Sequence, residues 1–298
     1  MKPETLNTPL LEEAHRAALA GAGRLRLPLR SRVWKGQAGE FLGAGVGSSL
    51  DFQDHRTYVP GDDPRHINWQ AYARTGNYTM KLYREEVRPV VDLVFDVSHS
   101  MFYTPAKARR SLELLYLAAE SAIQSGAALA VHAALADSTL PLHIDELRSH
   151  RWPDRTAALA PSDPAAPLKL GRVAFRANAV RVLVSDLLFP GDPEPILRTL
   201  TARHGSAIIL CPFLAEESRP DWSGNCDFID AETARRHPHR IDPSVLRRYH
   251  KAYDTHFTLW KQSSRRHQTS FARISCHADL LPALFAEALP AGALEASD

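Results

Sequence analysis

The sequence predicts an α/β protein, a three-layer sandwich with a mainly parallel sheet flanked by helices. Three observations carry this. Continuous apolar runs recur at VVDLVFDV (90–97), AVRVLVSD (179–186) and SAIILCPF (206–213), the pattern of strands covered on both faces. Between and after them lie segments with apolar residues three and four apart. Strands that alternate with helices pair in parallel through crossover connections.

The elements follow in order. Thr8 and Pro9 read as an N-cap and first helical position, opening a helix through Leu19 that Gly21 and Gly23 end. RLRLPLR (24–30) alternates basic and apolar residues as a half-buried strand does, and Pro28 places it at an edge. Residues 37–50 are glycine-rich and read as a loop. Pro60-Gly61 is a turn signal, and Asp63-Pro64 begins a short helix carrying Ile67, a buried Trp69 and Ala73. YTMKLYREEV (78–87) reads as a strand with a polar alternation. Pro105 opens a helix with Leu112, Leu115, Leu117, Ala119 and Ile123, and LAVHAAL (129–135) follows as a strand. The next stretch holds one or two ill-defined helices. A helix around Pro195–Arg203 leads to the strand at 206–213. Asp242 and Pro243 cap a long helix with Leu246, Tyr249, Tyr253, Phe257 and Trp260 on one face. SFARIS (270–275) and a helix at 278–288 complete the pattern. Residues 1–85 carry too few apolar residues for a core of their own and are expected to pack, as an N-terminal extension, on a domain spanning 86–298.

Composition narrows the function. Of 298 residues, 44% are hydrophobic and 23% charged, and 36 Lys plus Arg nearly balance 34 Asp plus Glu. That balance argues against nucleic acid as the partner. Arginines do cluster, at Arg24, Arg26, Arg30 and Arg32 and again at Arg235, Arg236, Arg240, Arg247 and Arg248. Three scattered cysteines make no disulfide framework or Cys-x-x-Cys pair. Without a signal-like N-terminus or a long apolar stretch, the expectation is a soluble, cytoplasmic protein with no membrane span.

Several chemistries lack their motifs. GAGVGSS (43–49) has neither the Gly-Lys-Ser/Thr ending of a phosphate loop nor dinucleotide-binding spacing. A G-x-S-x-G elbow and an H-E-x-x-H zinc motif are both absent from the sequence. His237 and His239 find no second pair for a zinc site, and His99 is poorly placed as a base for Ser98 or Ser100. What stands out is Asp96-Val97-Ser98-His99-Ser100-Met101, directly after a buried strand. Parallel sheets gather ligand sites beyond the carboxyl ends of their strands. One carboxylate and two hydroxyls at alternate positions offer hard oxygens of low charge, which suit Mg²⁺ or another divalent cation. Asp186 occupies the equivalent place after AVRVLVS (179–185).

This pattern resembles the metal-ion-dependent adhesion site of von Willebrand type A domains. There the D-x-S-x-S motif follows the first strand, a threonine comes from a later loop and an aspartate follows the fourth strand. Asp96, Ser98, Ser100 and Asp186 match. The threonine does not: Thr156 and Ser162 are the alternatives, with Ser162 favoured because its loop precedes a possible helix at 164–177. Upstream, Arg56, Tyr58, Gly61, Asp62, Asp63, Arg65, Ile67, Asn68 and Trp69, then Ala73, Arg74, Lys81 and Glu86, resemble the signature of the bacterial domain-of-unknown-function family 58. Asn68 stands where that family usually has Asp.

The resemblance implies a von Willebrand type A-like fold, a partner of the MoxR-type AAA+ ATPase class and a role in a chaperone-like or maturation complex. The expected function is a non-enzymatic protein-interaction subunit with a divalent cation at Asp96, Ser98, Ser100 and Asp186, completed by Ser162. Asp62, Asp63 and Arg65 are candidates for partner docking. The rival readings are a metal-dependent hydrolase at Asp96 and a nucleic-acid-associated factor using Arg24, Arg26 and Arg30.

Overall fold

The computed structural model describes residues 6–29, 50–60, 63–85, 88–163 and 165–297. It divides the chain into two compact units, Met1–Trp34 with Pro89–Asp298, and Lys35–Arg88. The expected extension at 1–85 is therefore shared between the two units. Of the glycine-rich stretch at 37–50 only Leu50 is described, and Gly61, Asp62 and Glu86 also lie outside the described residues.

The larger unit begins with α1 (Thr8–Ala22). Its cap is Asn7 rather than Thr8: the Asn7 side chain accepts the Leu10 N–H at 3.0 Å, which places Pro9 in the first turn, where a missing N–H costs nothing. The strand expected at 24–30 shortens to β1 (Leu25–Arg26), paired antiparallel with residues 295–296.

In the smaller unit, β2 (Leu50–Thr57), α2 (Trp69–Thr75) and β3 (Thr79–Glu85) succeed one another, with β2 and β3 antiparallel. The single helix expected from Asp63 breaks into a 3-10 turn at Pro64–His66 and then α2. The break falls at Ile67, whose extended backbone bridges to Met80. Asn68 then caps α2 by accepting the Ala71 N–H, and Gly76, at φ 72°, closes it in the left-handed conformation.

The larger unit resumes with β4 (Val90–Asp96), α3 (Pro105–Gln124), β5 (Ala128–Leu135) and β6 (Ser138–Leu142). Two short helices follow, α4 (Ile144–Arg148) and α5 (Trp152–Thr156). Next come β7 (Val180–Val184), α6 (Glu194–Thr201), β8 (Ser206–Phe213) and α7 (Ala215–Ser218). A hairpin of β9 (Gly224–Ile229) and β10 (Arg236–Ile241) leads to α8 (Pro243–Arg266), β11 (Ser270–Ser275), α9 (Leu280–Ala283) and β12 (Glu295–Ala296).

Six strands form one sheet in the order β11-β8-β7-β4-β5-β6, parallel throughout except for β6. Strand alternation then builds the layers. Val91, Leu93 and Phe95 of β4, with Val182 and Val184 of β7 and Ile208 and Leu210 of β8, enter one core beneath α1, α3 and α9. Val94, Leu183, Ile209 and Cys211 face the other way, into a second core with Leu197 of α6 and Tyr253, Phe257 and Trp260 of α8. A period of two divides each buried strand between two cores, which is the three-layer sandwich the apolar runs predicted. Among the described residues no helix is long and apolar enough to cross a membrane.

Two charged groups on adjacent strands find partners inside this sandwich. Asp92 is fully buried and accepts the Arg176 backbone N–H at 2.8 Å and its Nε–H at 2.6 Å. Arg181, on the neighbouring strand, donates to the carbonyls of Thr199 and Leu200 at the end of α6. Removing one partner of a buried pair leaves the other charge without compensation. Arg176→Ala should therefore cost about 3 kcal/mol of stability, measured by urea unfolding, and Arg176→Ala with Asp92→Ala should cost less than the sum of the single changes.

Candidate metal centre

Parallel register sets the last residues of β4 and β7 side by side, with Phe95 opposite Val184. The loops leaving these strands therefore open at the same edge. Asp96 bends its own loop: one carboxylate oxygen accepts the Ser98 N–H at 2.9 Å, and the other accepts the Ser185 hydroxyl at 2.6 Å. The turn brings the Ser98 and Ser100 hydroxyl oxygens to 3.1 Å. Asp96, Ser98, Ser100 and Asp186 thereby line one cavity of about 130 Å³, joined there by Asp230 and Glu232.

The electrostatics separate the two aspartates. Burial, followed by the nearby charge of Asp186, pushes the Asp96 carboxyl up from 3.8 to about 7, against the bonds from Ser185 and Ser98 that favour its ionised form. Asp186 is held differently. One of its oxygens accepts from the Lys107 ammonium at 2.7 Å, and the other accepts the Leu188 N–H at 3.1 Å. The same ammonium donates to Glu217 at 2.5 Å. Burial alone would lower the Lys107 pKa, but Asp186 and Glu217 outweigh it and raise the value.

Asp186, a candidate ligand in the sequence, thus stands in the cavity wall with an ammonium already beside it. Among the described residues, no three His, Cys, Asp or Glu side chains form a group that could hold a metal. A cation here would rest on the Asp96 carboxylate, the Ser98 and Ser100 hydroxyls and water. This donor set fits a hard divalent ion, and a carboxylate whose ionisation burial opposes gains from a positive charge beside it.

Neither alternative for the third hydroxyl reaches the cavity. Thr156 donates to the Pro153 carbonyl at 2.9 Å, within its own short helix. The Ser162 hydroxyl and N–H both bind Asp137, at 2.8 and 3.0 Å. Ala165, Ala166 and Leu168 line the wall instead, because residues 165–177 form an irregular path where a possible helix at 164–177 was expected.

Two residues that the sequence reading missed are built into this edge. Lys107 lies on the buried side of α3, in helical register with Ser111, Leu114 and Leu115, and a lysine in such a stripe signals a buried partner. Glu232 accepts the His99 and Ser100 N–H groups at 3.1 and 3.0 Å. The Asp63 and Arg65 candidates fall in the smaller unit. There Asp63 caps the 3-10 turn and binds the Arg65 guanidinium at 2.6 Å, and Asp62 lies outside the described residues. Trp69, expected to be buried, is 58% exposed and packs edge-on against Tyr72 and Tyr78.

Asp96 sets a pH dependence whose sign follows from the raised value. Between pH 3.8 and about 7 the unfolded chain has released this proton while the metal-free fold retains it, so stability falls as pH rises through that window. Asp96→Asn should flatten this fall in thermal unfolding curves. Mg²⁺ competes with the same proton, so it should raise the wild-type Tm more at pH 8 than at pH 5 and leave Asp96→Ala unchanged.

Residues 54–258 match the family described as "Protein of unknown function DUF58". Similar proteins include the uncharacterized protein Rv1480 of Mycobacterium tuberculosis and the uncharacterized protein Mb1516 of Mycobacterium bovis. Each is 28% identical over 253 residues, covering 80% of this chain and 78% of the relative. No solved structure matches the chain. The family match takes in Asp63, the Asp96–Ser100 turn, the Lys107 clamp, Asp186 and the hairpin bearing Glu232; this chain belongs to the DUF58 family.

Proposed function

We propose that this chain is a non-enzymatic interaction subunit that engages an acidic side chain of a partner protein through a divalent cation at Asp96, Ser98 and Ser100. The observation that carries the reading is the convergence of this carboxylate and these two hydroxyls on one cavity, with Asp186 behind them. The arrangement is similar to the adhesion site of von Willebrand type A domains, and the order of the chain's strands and motifs supports that comparison.

The chain's own residues would do three things. Asp96 supplies a carboxylate that Lys107 does not answer, and Ser98 and Ser100 supply oxygen without adding negative charge. Lys107 answers Asp186, so the pocket does not satisfy a cation with protein charge alone. A divalent cation supplies attraction for an incoming carboxylate. The partner class implied by the resemblance is a MoxR-type AAA+ ATPase, within a chaperone-like or maturation complex.

A second reading has one observation in its favour. A buried carboxyl that titrates near 7 within a cavity has the property of a general acid or base, and a metal-assisted hydrolase would use Asp96 in that way. Two experiments separate the readings. Pull-downs from the native host, with Mg²⁺ or EDTA and with wild type or Asp96→Ala, should recover an AAA+ ATPase only with metal and intact Asp96. The same partners under all four conditions would remove the cation from the interaction. Hydrolysis of a broad ester and phosphoester panel by wild type and not by Asp96→Ala would favour the enzyme.

A further inference from the structure

The β9–β10 hairpin has an unusual attachment. It forms a two-stranded sheet of its own, and most of its residues are exposed or half-buried, with Ile241 at its end the buried exception. Near its base, Trp222 packs against Phe228 and Tyr249, with ring centroids 4.8 and 5.0 Å apart. At its tip the chain is tightly wound. Asp230 accepts the N–H groups of Glu232 and Thr233 at 3.1 and 2.7 Å, and the Thr233 hydroxyl at 2.7 Å. Ala234 takes a φ of 56° to complete the turn. This winding aims one side chain. Glu232 reaches the loop after β4, more than 130 residues away, and its two oxygens accept the His99 and Ser100 N–H groups. Asp230 and Glu232 line the same cavity as Asp96, Ser98 and Ser100.

We propose that Glu232 is a built-in competitor for the cation site. The hairpin lays an internal carboxylate against the loop that carries Ser98 and Ser100, and an acidic side chain from a partner enters by displacing it. This inference rests on the cation-dependent reading given above. Its physical basis is an imbalance of attachment. The two bonds to Glu232 are charge-assisted, at 3.1 and 3.0 Å, while the strands behind the tip are exposed or half-buried up to Ile241, which suits local release of the tip rather than of the core. An element whose tip is held by one side chain, beyond an aromatic base and along exposed strands, is suited to local exchange. Asp230 is the positioning residue, because its three bonds fix the direction in which Glu232 leaves the turn.

The test uses the full chain as wild type, Glu232→Gln, Glu232→Ala and Asp96→Ala. Mn²⁺ is the metal probe, with the free ion followed by electron paramagnetic resonance. Glutarate is the carboxylate probe, read from the water-proton relaxation of the Mn²⁺-loaded protein. Hydrogen exchange of peptides covering His99 and Ser100 reports the clasp itself. Wild type and both Glu232 variants should bind Mn²⁺, and the Glu232 variants should respond to glutarate at about tenfold lower concentration. The His99 and Ser100 amides should exchange faster in the Glu232 variants, and faster in wild type once Mn²⁺ and glutarate are both present.

Coincident glutarate curves for wild type and the Glu232 variants would overturn the competitor while leaving the cation site standing, provided Asp96→Ala has lost Mn²⁺. Loss of Mn²⁺ from both Glu232 variants would also overturn it, because Glu232 would then be a ligand of the ion. Failure of every protein to bind Mn²⁺ would overturn the cation site and the competitor together. Binding by the Glu232 variants alone would support occlusion in its strongest form.

Discussion

One buried ammonium organises the carboxyl edge of the sheet. Lys107 leaves the first turn of α3 and binds Asp186, which follows β7, and Glu217, which lies in α7 after β8. Those partners are 79 and 110 residues away along the chain, so this one side chain fixes how three connections meet. Charge leaves water at high cost unless it is paired, and here the pairing determines what remains. Asp186 is answered from behind, Glu217 from beside, and Asp96 has no such cation. The carboxyl that burial drives to about 7 is therefore the one facing the cavity with two hydroxyls for company. The candidate centre owes its polarity to the clamp as much as to the D-x-S-x-S turn.

Much of this was legible in the sequence, for physical reasons that also explain what was not. VVDLVFDV, AVRVLVSD and SAIILCPF announce strands because a strand with cores on both sides can afford no polar face. β6 is short and carries Pro141, so it belongs at the edge where the sheet needs no further donor. The hairpin gave no signal, since RHPHRI is exposed at five of its six positions and has no apolar alternation to read. Within the site, Asp96, Ser98 and Ser100 are close in sequence and follow a recognisable strand, and Asp186 follows another. Ser162 was assigned through a stretch without periodicity, where spacing says nothing about the path of the chain. Lys107 and Glu232 reach their positions only through tertiary structure: one crosses from a helix to two loops, the other from a hairpin tip to the turn after β4.

The two faces of the sheet are not equivalent. On one, α6 and α8 form a single covering layer. On the other, α3 is enclosed by the sheet below and by α1 against its outer side. That enclosure explains why a helix with so many polar residues is buried almost throughout. Ser121 accepts the Leu27 N–H at 2.7 Å, while Glu120 receives Arg148 at 2.8 Å and His15 at 3.2 Å. These groups would be solvated on an outer helix; here α1, the segment after it and Arg148 of α4 supply their partners.

The place of α1 in that stack has a consequence for biosynthesis. Leu11, Ala14 and Ala18 of α1 are buried in the same core as Leu112, Leu115 and Ala119, and β1 finds its pairing partner only at Leu25↔Ala296 and Arg26↔Glu295. A ribosome emits α1 about a hundred residues before the helix it must cover, and β1 some 270 residues before the strand that closes it, at roughly 5–20 residues per second. The apolar side of α1 therefore waits for several seconds or longer without its native cover. The early chain must remain unassociated through that interval, and the larger unit closes its outer layer only when residues near 295 have emerged. Long-range closure of this kind slows folding, so the outer layer of the larger unit is the last part of its topology that synthesis can complete.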